Sequence, residues 1–299
     1  MIDGKLLTLI KVAEEGSFSR AAKSLGLTQP AVSNHIKTLE SELNCQLFIR
    51  NNNVAKLTDE GEIAVHYAKR MEALYARMDQ KIADYQQNRF SLSIGITHTA
   101  QNSPIVEAIA KYAAEKGGVH INFVSGYIKE LYEQLDEYVL DMAVVEGSNE
   151  DPSFNSVLLD TDTLLVAMSP RNHLASKATL TLDDLRKEKL ILRSKGSATR
   201  SLFEASLESH ESHIKEFDVL VESESLNVIK DLVMKDSGVS ILPASSCVSE
   251  VKKGKLVLLP IIGLPMTRQV NIVVRKSFKR MDILDGIVSS YRKMMGEAI

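Results

Sequence analysis

The run from Ser17 to Leu39 constrains this chain more than any other stretch. Ser17 is a good helix N-cap, Phe18, Ala21, Ala22 and Leu25 recur on one helical face, and Gly26 ends the pattern. Two residues later Thr28 caps a second helix with Pro30 in its first turn, where a missing N–H costs nothing. Its apolar positions Val32, Ile36 and Leu39 leave Gln29, Ser33, Asn34, His35 and Lys37 on other faces. A preceding helix carries Leu6, Leu7, Leu9, Ile10 and Ala13 and stops at Gly16. Two short helices joined by a turn at Leu25–Gly26–Leu27, the second with a polar N-terminal half, have the form of a helix-turn-helix. Ala21 and Ala22 allow close helix approach, and Ala31 and Ser33 keep the second helix slim enough to meet base edges. A plain three-helix packing module with a solvated face is the competing reading.

Charge agrees with that reading without establishing it. Residues 1–57 carry seven Lys/Arg against five Asp/Glu, whereas residues 90–299 carry 24 against 28. No apolar run approaches the roughly 20 residues a bilayer span needs, and acidic residues interrupt the N-terminal MIDGKLLTLIKVAEEG. A cytoplasmic protein without membrane association is expected.

The segment FSRAAKSLGLTQPAVSNHIKTLESELNCQLFIRNNNVAKLTDEGE resembles, in order and throughout, the DNA-binding domain of LysR-type transcriptional regulators. The resemblance implies a winged helix-turn-helix over residues 1–58, with the wing from Phe48 to Thr58. Gln29, Ser33, Asn34 and His35 are the candidates for base and backbone contacts, since Gln and Asn pair with adenine edges and hydroxyls bond base or phosphate. Thr28 and Pro30 belong to the same DNA-facing helix start. Arg20, Lys37, Arg50 and Lys56 would meet phosphates. Asn51–Asn53 and Val54 stand where relatives often carry another Arg, which implies a weaker electrostatic grip by the wing.

Thr58–Asp59–Glu60 opens a long helix over about residues 59–89. Ile63, Tyr67, Met71, Leu74, Met78, Ile82 and Tyr85 repeat along it at threes and fours, close to a heptad seam. Such a stripe needs cover, from a twin helix in a homodimer or from the chain's own C-terminal domain. The resemblance implies the homodimer, with a homotetramer as a further assembly and RNA polymerase as a partner.

From residue 90 to 299 short apolar strands (91–96, 119–124, 142–146, 163–168, 189–192, 219–222, 270–274) alternate with helical patterns, so an α/β effector domain with largely parallel sheets is expected. The resemblance implies two lobes like those of periplasmic binding proteins, lobe I about 91–163 and 268–299, lobe II about 164–267, with a ligand cleft between them. Two strand-end loops point to the ligand. Thr97, His98, Thr99 and Gln101 precede an expected helix start at Ser103–Pro104, and Ser194, Lys195, Gly196, Ser197, Thr199 and Arg200 precede another. Ser125 and Gly126 end a third strand. Converging hydroxyls, cations and backbone N–H groups suit an anionic effector bearing carboxylate, sulfate or phosphate. Two departures from the family pattern are Tyr138 at a position where many relatives have Gly, and Gly117–Gly118 in place of a Pro.

No enzyme is expected, because the chain contains no G-x-S-x-G elbow, P-loop or G-x-G-x-x-G and no evident acid/base pair. No cofactor or metal is expected either. Cys45 and Cys247 are far apart in sequence and have no Cys or His at ligand spacing, which leaves a redox pair or two packed thiols.

Overall fold

Three short helices open the chain, α1 (Gly4–Glu15), α2 (Phe18–Leu25) and α3 (Gln29–Leu43), each with a side-chain N-cap. The computed structural model describes residues 3–51, 54–87, 89–147, 149 and 151–296. Asp3 accepts from the Lys5 N–H, Ser17 from Arg20 and Thr28 from Ala31, so each helix starts on a satisfied donor. Gly26 ends α2 at φ +66°, a left-handed conformation that costs a residue with a Cβ about 1 kcal/mol or more. The turn it makes aims α3 across α2.

Wing strands β1 (Phe48–Asn51) and β2 (Val54–Leu57) pair antiparallel with Phe48 opposite Leu57. Asn52 and Asn53 of the expected wing, and the side chains of Arg50, Asn51 and Val54, lie outside the described residues. The long helix α4 (Asp59–Gln86) follows, and Thr58 caps it by accepting from the Gly61 N–H. Leu9, Val12, Ala21, Val32, Ile36 and Leu47 form one core with Phe48, and Val65 and Ala68 of α4 are part of it. The start of the helix expected as a linker is therefore packed into the N-terminal module.

The α/β elements are β3 (Phe90–Thr97), α5 (Ile105–Lys116), β4 (Val119–Gly126), α6 (Ile128–Asp136), β5 (Met142–Glu146) and β6 (Phe154–Met168). They continue with α7 (Leu182–Arg186), β7 (Lys189–Arg193), α8 (Ala198–Glu208), β8 (Asp218–Ser223), α9 (Leu226–Met234) and β9 (Ser240–Pro243). The last are α10 (Val248–Lys252), β10 (Val257–Leu259), β11 (Thr267–Arg275) and α11 (Met281–Gly296). One seven-stranded sheet runs β10-β6-β11-β5-β3-β4, with β9 also paired to β6.

The expectation of largely parallel sheets needs correcting, because β11 pairs antiparallel with both β5 and β6, and β6 pairs antiparallel with β9 and β10. Parallel pairing holds for β3 with β5 and for the separate pair β7 with β8. The physical reason is β6. At 15 residues it is long enough to pair through residues 154–163 with β11 and through 164–168 with β9 and β10, so one strand serves two groups of elements.

Contacts divide the chain into two units, residues 1–91 with 133–139, and residues 92–132 with 140–299. In the first unit the polar side of α4 is engaged: His66 lies 3.2 Å from Asp136, and the Arg70 guanidinium stacks 5.2 Å from the Tyr138 ring. Tyr138 holds φ +64°, a left-handed conformation that favours glycine and implies local strain of about 1–3 kcal/mol. The apolar stripe from Ile63 to Tyr85 is left 45–88% exposed at all seven positions.

Candidate functional site

The N-terminal half of α3 presents Thr28, Gln29, Pro30 and Asn34 to solvent, with Ser33 half-buried beside them and Lys37 exposed one turn on. Val32, Ile36 and Leu39 are buried beneath, so the core fixes which face turns outward. Two expected DNA contacts have structural partners. His35 is half-buried, its Nδ1 2.9 Å from the hydroxyl of buried Thr8, which makes the ring a tie between α3 and α1. Arg20 donates through Nη2 to the Glu15 carbonyl, closing the end of α1, though its side chain is largely exposed. Lys56 is exposed on the wing.

The second site is a cleft whose lining includes Thr97, His98 and Thr99 after β3, Gly126, Tyr127 and Ile128 after β4, and Glu146 at the end of β5. Arg193 at the end of β7 and Gly196, Ser197 and Ala198 at the start of α8 face them. The Tyr127 hydroxyl donates to Glu224 at 2.9 Å, which raises the phenol's pKa, and Arg193 Nη1 donates to the Glu224 carbonyl. In this conformation the cleft holds only about 20 Å³, room for one or two waters.

Six of the expected effector residues line the cleft: Thr97, His98, Thr99, Gly126, Gly196 and Ser197. Others are committed elsewhere. Ser125 donates to Gln101 Oε1 at 2.9 Å, Arg200 bonds Glu204 at 2.5 Å and lies 3.3 Å from Glu222, and Thr199 accepts from Arg268. Ser194 and Lys195 are outside the lining, and Lys195 is exposed. Ser103 does not cap α5; its hydroxyl donates to the Ala100 carbonyl, because a 3-10 turn at Ala100–Asn102 comes first. Thr97 serves that turn, accepting from the Ala100 N–H and donating to Glu146 at 2.9 Å.

Glu146 and Arg193 were missed, and both had a readable signal: each is a charge ending an apolar strand, in MAVVE and KLILR, where α/β proteins place ligands. Burial lowers the Arg193 pKa, with Tyr127 and the carboxylates of Glu146 and Glu224 opposing the shift. Arg193 Nε and Glu146 Oε2 are buried and have no hydrogen-bond partner among the described residues. Cys247 is the other buried polar group of note: burial pushes its thiol up to about 12, so the reactive thiolate is suppressed. No group of three or more His, Cys, Asp or Glu among the described residues could hold a metal ion, and no described helix is long and apolar enough to cross a membrane.

Known proteins match both the N-terminal module and the α/β domain. Residues 4–62 match the model of the bacterial regulatory helix-turn-helix proteins of the lysR family, and residues 86–283 match the LysR substrate binding domain. The chain is 30% identical to the HTH-type transcriptional regulator CfxR of Cupriavidus necator, over 88% of this chain and 82% of that one. It is 29% identical to the regulator CbbR of Rhodospirillum rubrum, over 93% and 91%. Its fold is that of full-length CbnR solved with its target DNA, at 21% identity, a TM-score of 0.69, and 98% and 99% coverage. With a DNA-binding module and a substrate-binding domain both matched, the chain belongs to the LysR family of DNA-binding transcriptional regulators.

Proposed function

We propose that this regulator reads operator DNA with the N-terminal half of α3 as a homodimer and is controlled by a small anionic metabolite held in the cleft. Gln29, Ser33 and Asn34 supply the base contacts, Thr28 and Pro30 set the helix start against the backbone, and Lys37, Lys56, Arg20 and Arg50 supply phosphate contacts. His35 contributes through its remaining ring nitrogen, Nδ1 being tied to Thr8. Thr97, His98, Thr99, Gly126, Gly196 and Ser197 form the effector pocket. The observation that carries the anionic assignment is Arg193, 2% exposed, lining the cleft with Nε unpartnered among the described residues. An effector closing the cleft shifts the subunits against each other, changing half-site spacing or DNA bend and so the approach of RNA polymerase.

An anisotropy titration of the full chain against the intergenic DNA beside its own gene, at fixed salt, tests the DNA half. The Gln29→Ala/Ser33→Ala variant is expected to lose about tenfold or more of specific affinity while keeping its non-specific, salt-dependent binding. An equal drop for random DNA would instead mean a misfolded module.

The dimer has its own test. Seven large apolar side chains exposed along one face of α4 need the cover that a twin helix supplies. Leu74→Glu places a charge in that seam, and sedimentation is expected to show a shift toward monomer with an affinity for palindromic operator down at least about tenfold. A variant that stays dimeric would move the interface off this stripe.

A further inference from the structure

We propose that the effector carries two complementary groups, an anionic head met by Arg193 and a hydrogen-bond donor, hydroxyl or ammonium, met by Glu146. The inference rests on the anionic-cleft reading above and narrows it. Glu146 is 5% exposed and lines the same cleft as Arg193. Its Oε1 accepts from the Thr97 hydroxyl at 2.9 Å and lies 3.5 Å from Arg268 Nη2. Its Oε2 is buried and has no hydrogen-bond partner among the described residues, as is true of Arg193 Nε. Buried polar atoms in native proteins are nearly always satisfied, by protein, water or ligand. Here the two unsatisfied atoms have opposite demands.

A ligand with only negative charge would answer Arg193 and be repelled by Glu146. A purely cationic or neutral ligand would leave Arg193 unanswered. One with an anion and a donor answers both, and a second consequence follows for selectivity. An analogue lacking the donor leaves Glu146 Oε2 desolvated and unpaired, which weakens binding by about tenfold or more. In this conformation the cleft offers only about 20 Å³, so the group that meets Arg193 and Glu146 is the size of a small polar head.

Matched probe pairs test this by calorimetry on the full chain: L-lactate and L-serine against propionate, and glycerol 3-phosphate against propyl phosphate. In at least one pair the donor-bearing member is expected to bind about tenfold tighter or better. Glu146→Gln, with its fold checked by circular dichroism, is expected to reduce that ratio most for the ammonium of serine. Equal binding within every pair overturns the donor subsite and leaves the anionic cleft standing. No heat from any probe overturns both readings. The wild-type comparison stands by itself if the variant fails to fold.

Discussion

Arg268→Met is expected to destabilise the effector domain by about 3–5 kcal/mol, seen in calorimetry as a fall of about 6–20 °C in that domain's transition. Arg268 lies on β11 with a side chain 6% exposed, and its Nη2 is 3.5 Å from the carboxylates of both Glu146 and Asp162, whose side chains are 2% and 5% exposed. Its Nη1 donates to Thr199 at the start of α8. Asp162 is held further by the Ser245 hydroxyl at 2.8 Å and the Ser245 N–H at 3.2 Å. One guanidinium thus stands between two buried carboxylates, and its loss leaves both uncompensated in low dielectric. Met fills most of the volume, so the cost is electrostatic rather than a cavity. Adding Glu146→Gln and Asp162→Asn should recover most of the loss, a coupling that a simple packing defect would not show. A fall below about 1 kcal/mol would mean that water entering the cleft already solvates the carboxylates.

That cluster shows where sequence reasoning stops. In the DNA-binding module nearly every signal is local, and so it was legible: Ser17, Thr28 and Thr58 all cap the helices expected of them, and Gly16 and Gly26 end theirs. The partner of His35 was not legible, because Thr8 sits on another helix and only packing brings it near, whereas Arg20 reaches back just across the Gly16 turn to the Glu15 carbonyl. In the α/β part, Met142–Glu146 was read to the residue, since a strand buried along its whole length is a continuous apolar run. The first half of β6 was missed because FNSVLLDTD has only three consecutive apolar residues between polar and charged ones and no clear period, and β9 and β10 because SILP and VLL are too short to show one. Missing these strands is what made the sheet look parallel. Of the cleft, the hydroxyl and glycine loops were visible in sequence, whereas Glu146, Arg193 and Arg268 depend on which strand ends meet.

Gly61→Ala is expected to destabilise the DNA-binding module by about 3 kcal/mol, lowering its melting transition by about 12 °C or more while the effector domain's transition stays put. Ala is the better helix former by about 1 kcal/mol, so propensity alone predicts the opposite sign. Geometry decides against it. A Cβ at Gly61 would stand 2.1 Å from the Leu47 carbonyl oxygen and 3.0 Å from both the Leu47 carbonyl carbon and Leu57 Cδ2. Leu47 offers backbone there, which cannot rotate away, and Thr58 pins the same junction from both sides: its N–H donates to the Leu47 carbonyl at 3.1 Å and its hydroxyl to the Gln46 carbonyl at 2.6 Å. To make room, α4 would have to move outward, taking Val65 and Ala68 from the core they share with Ile36 and Leu39. Gly4→Ala is the matched control, because nothing lies within 4 Å of its Cβ position on the first turn of α1 and the substitution should be neutral or stabilising by up to about 1 kcal/mol. A Gly61→Ala transition at or above the wild-type temperature would show that the junction relaxes freely and that helix propensity, not the Leu47 contact, governs the start of α4.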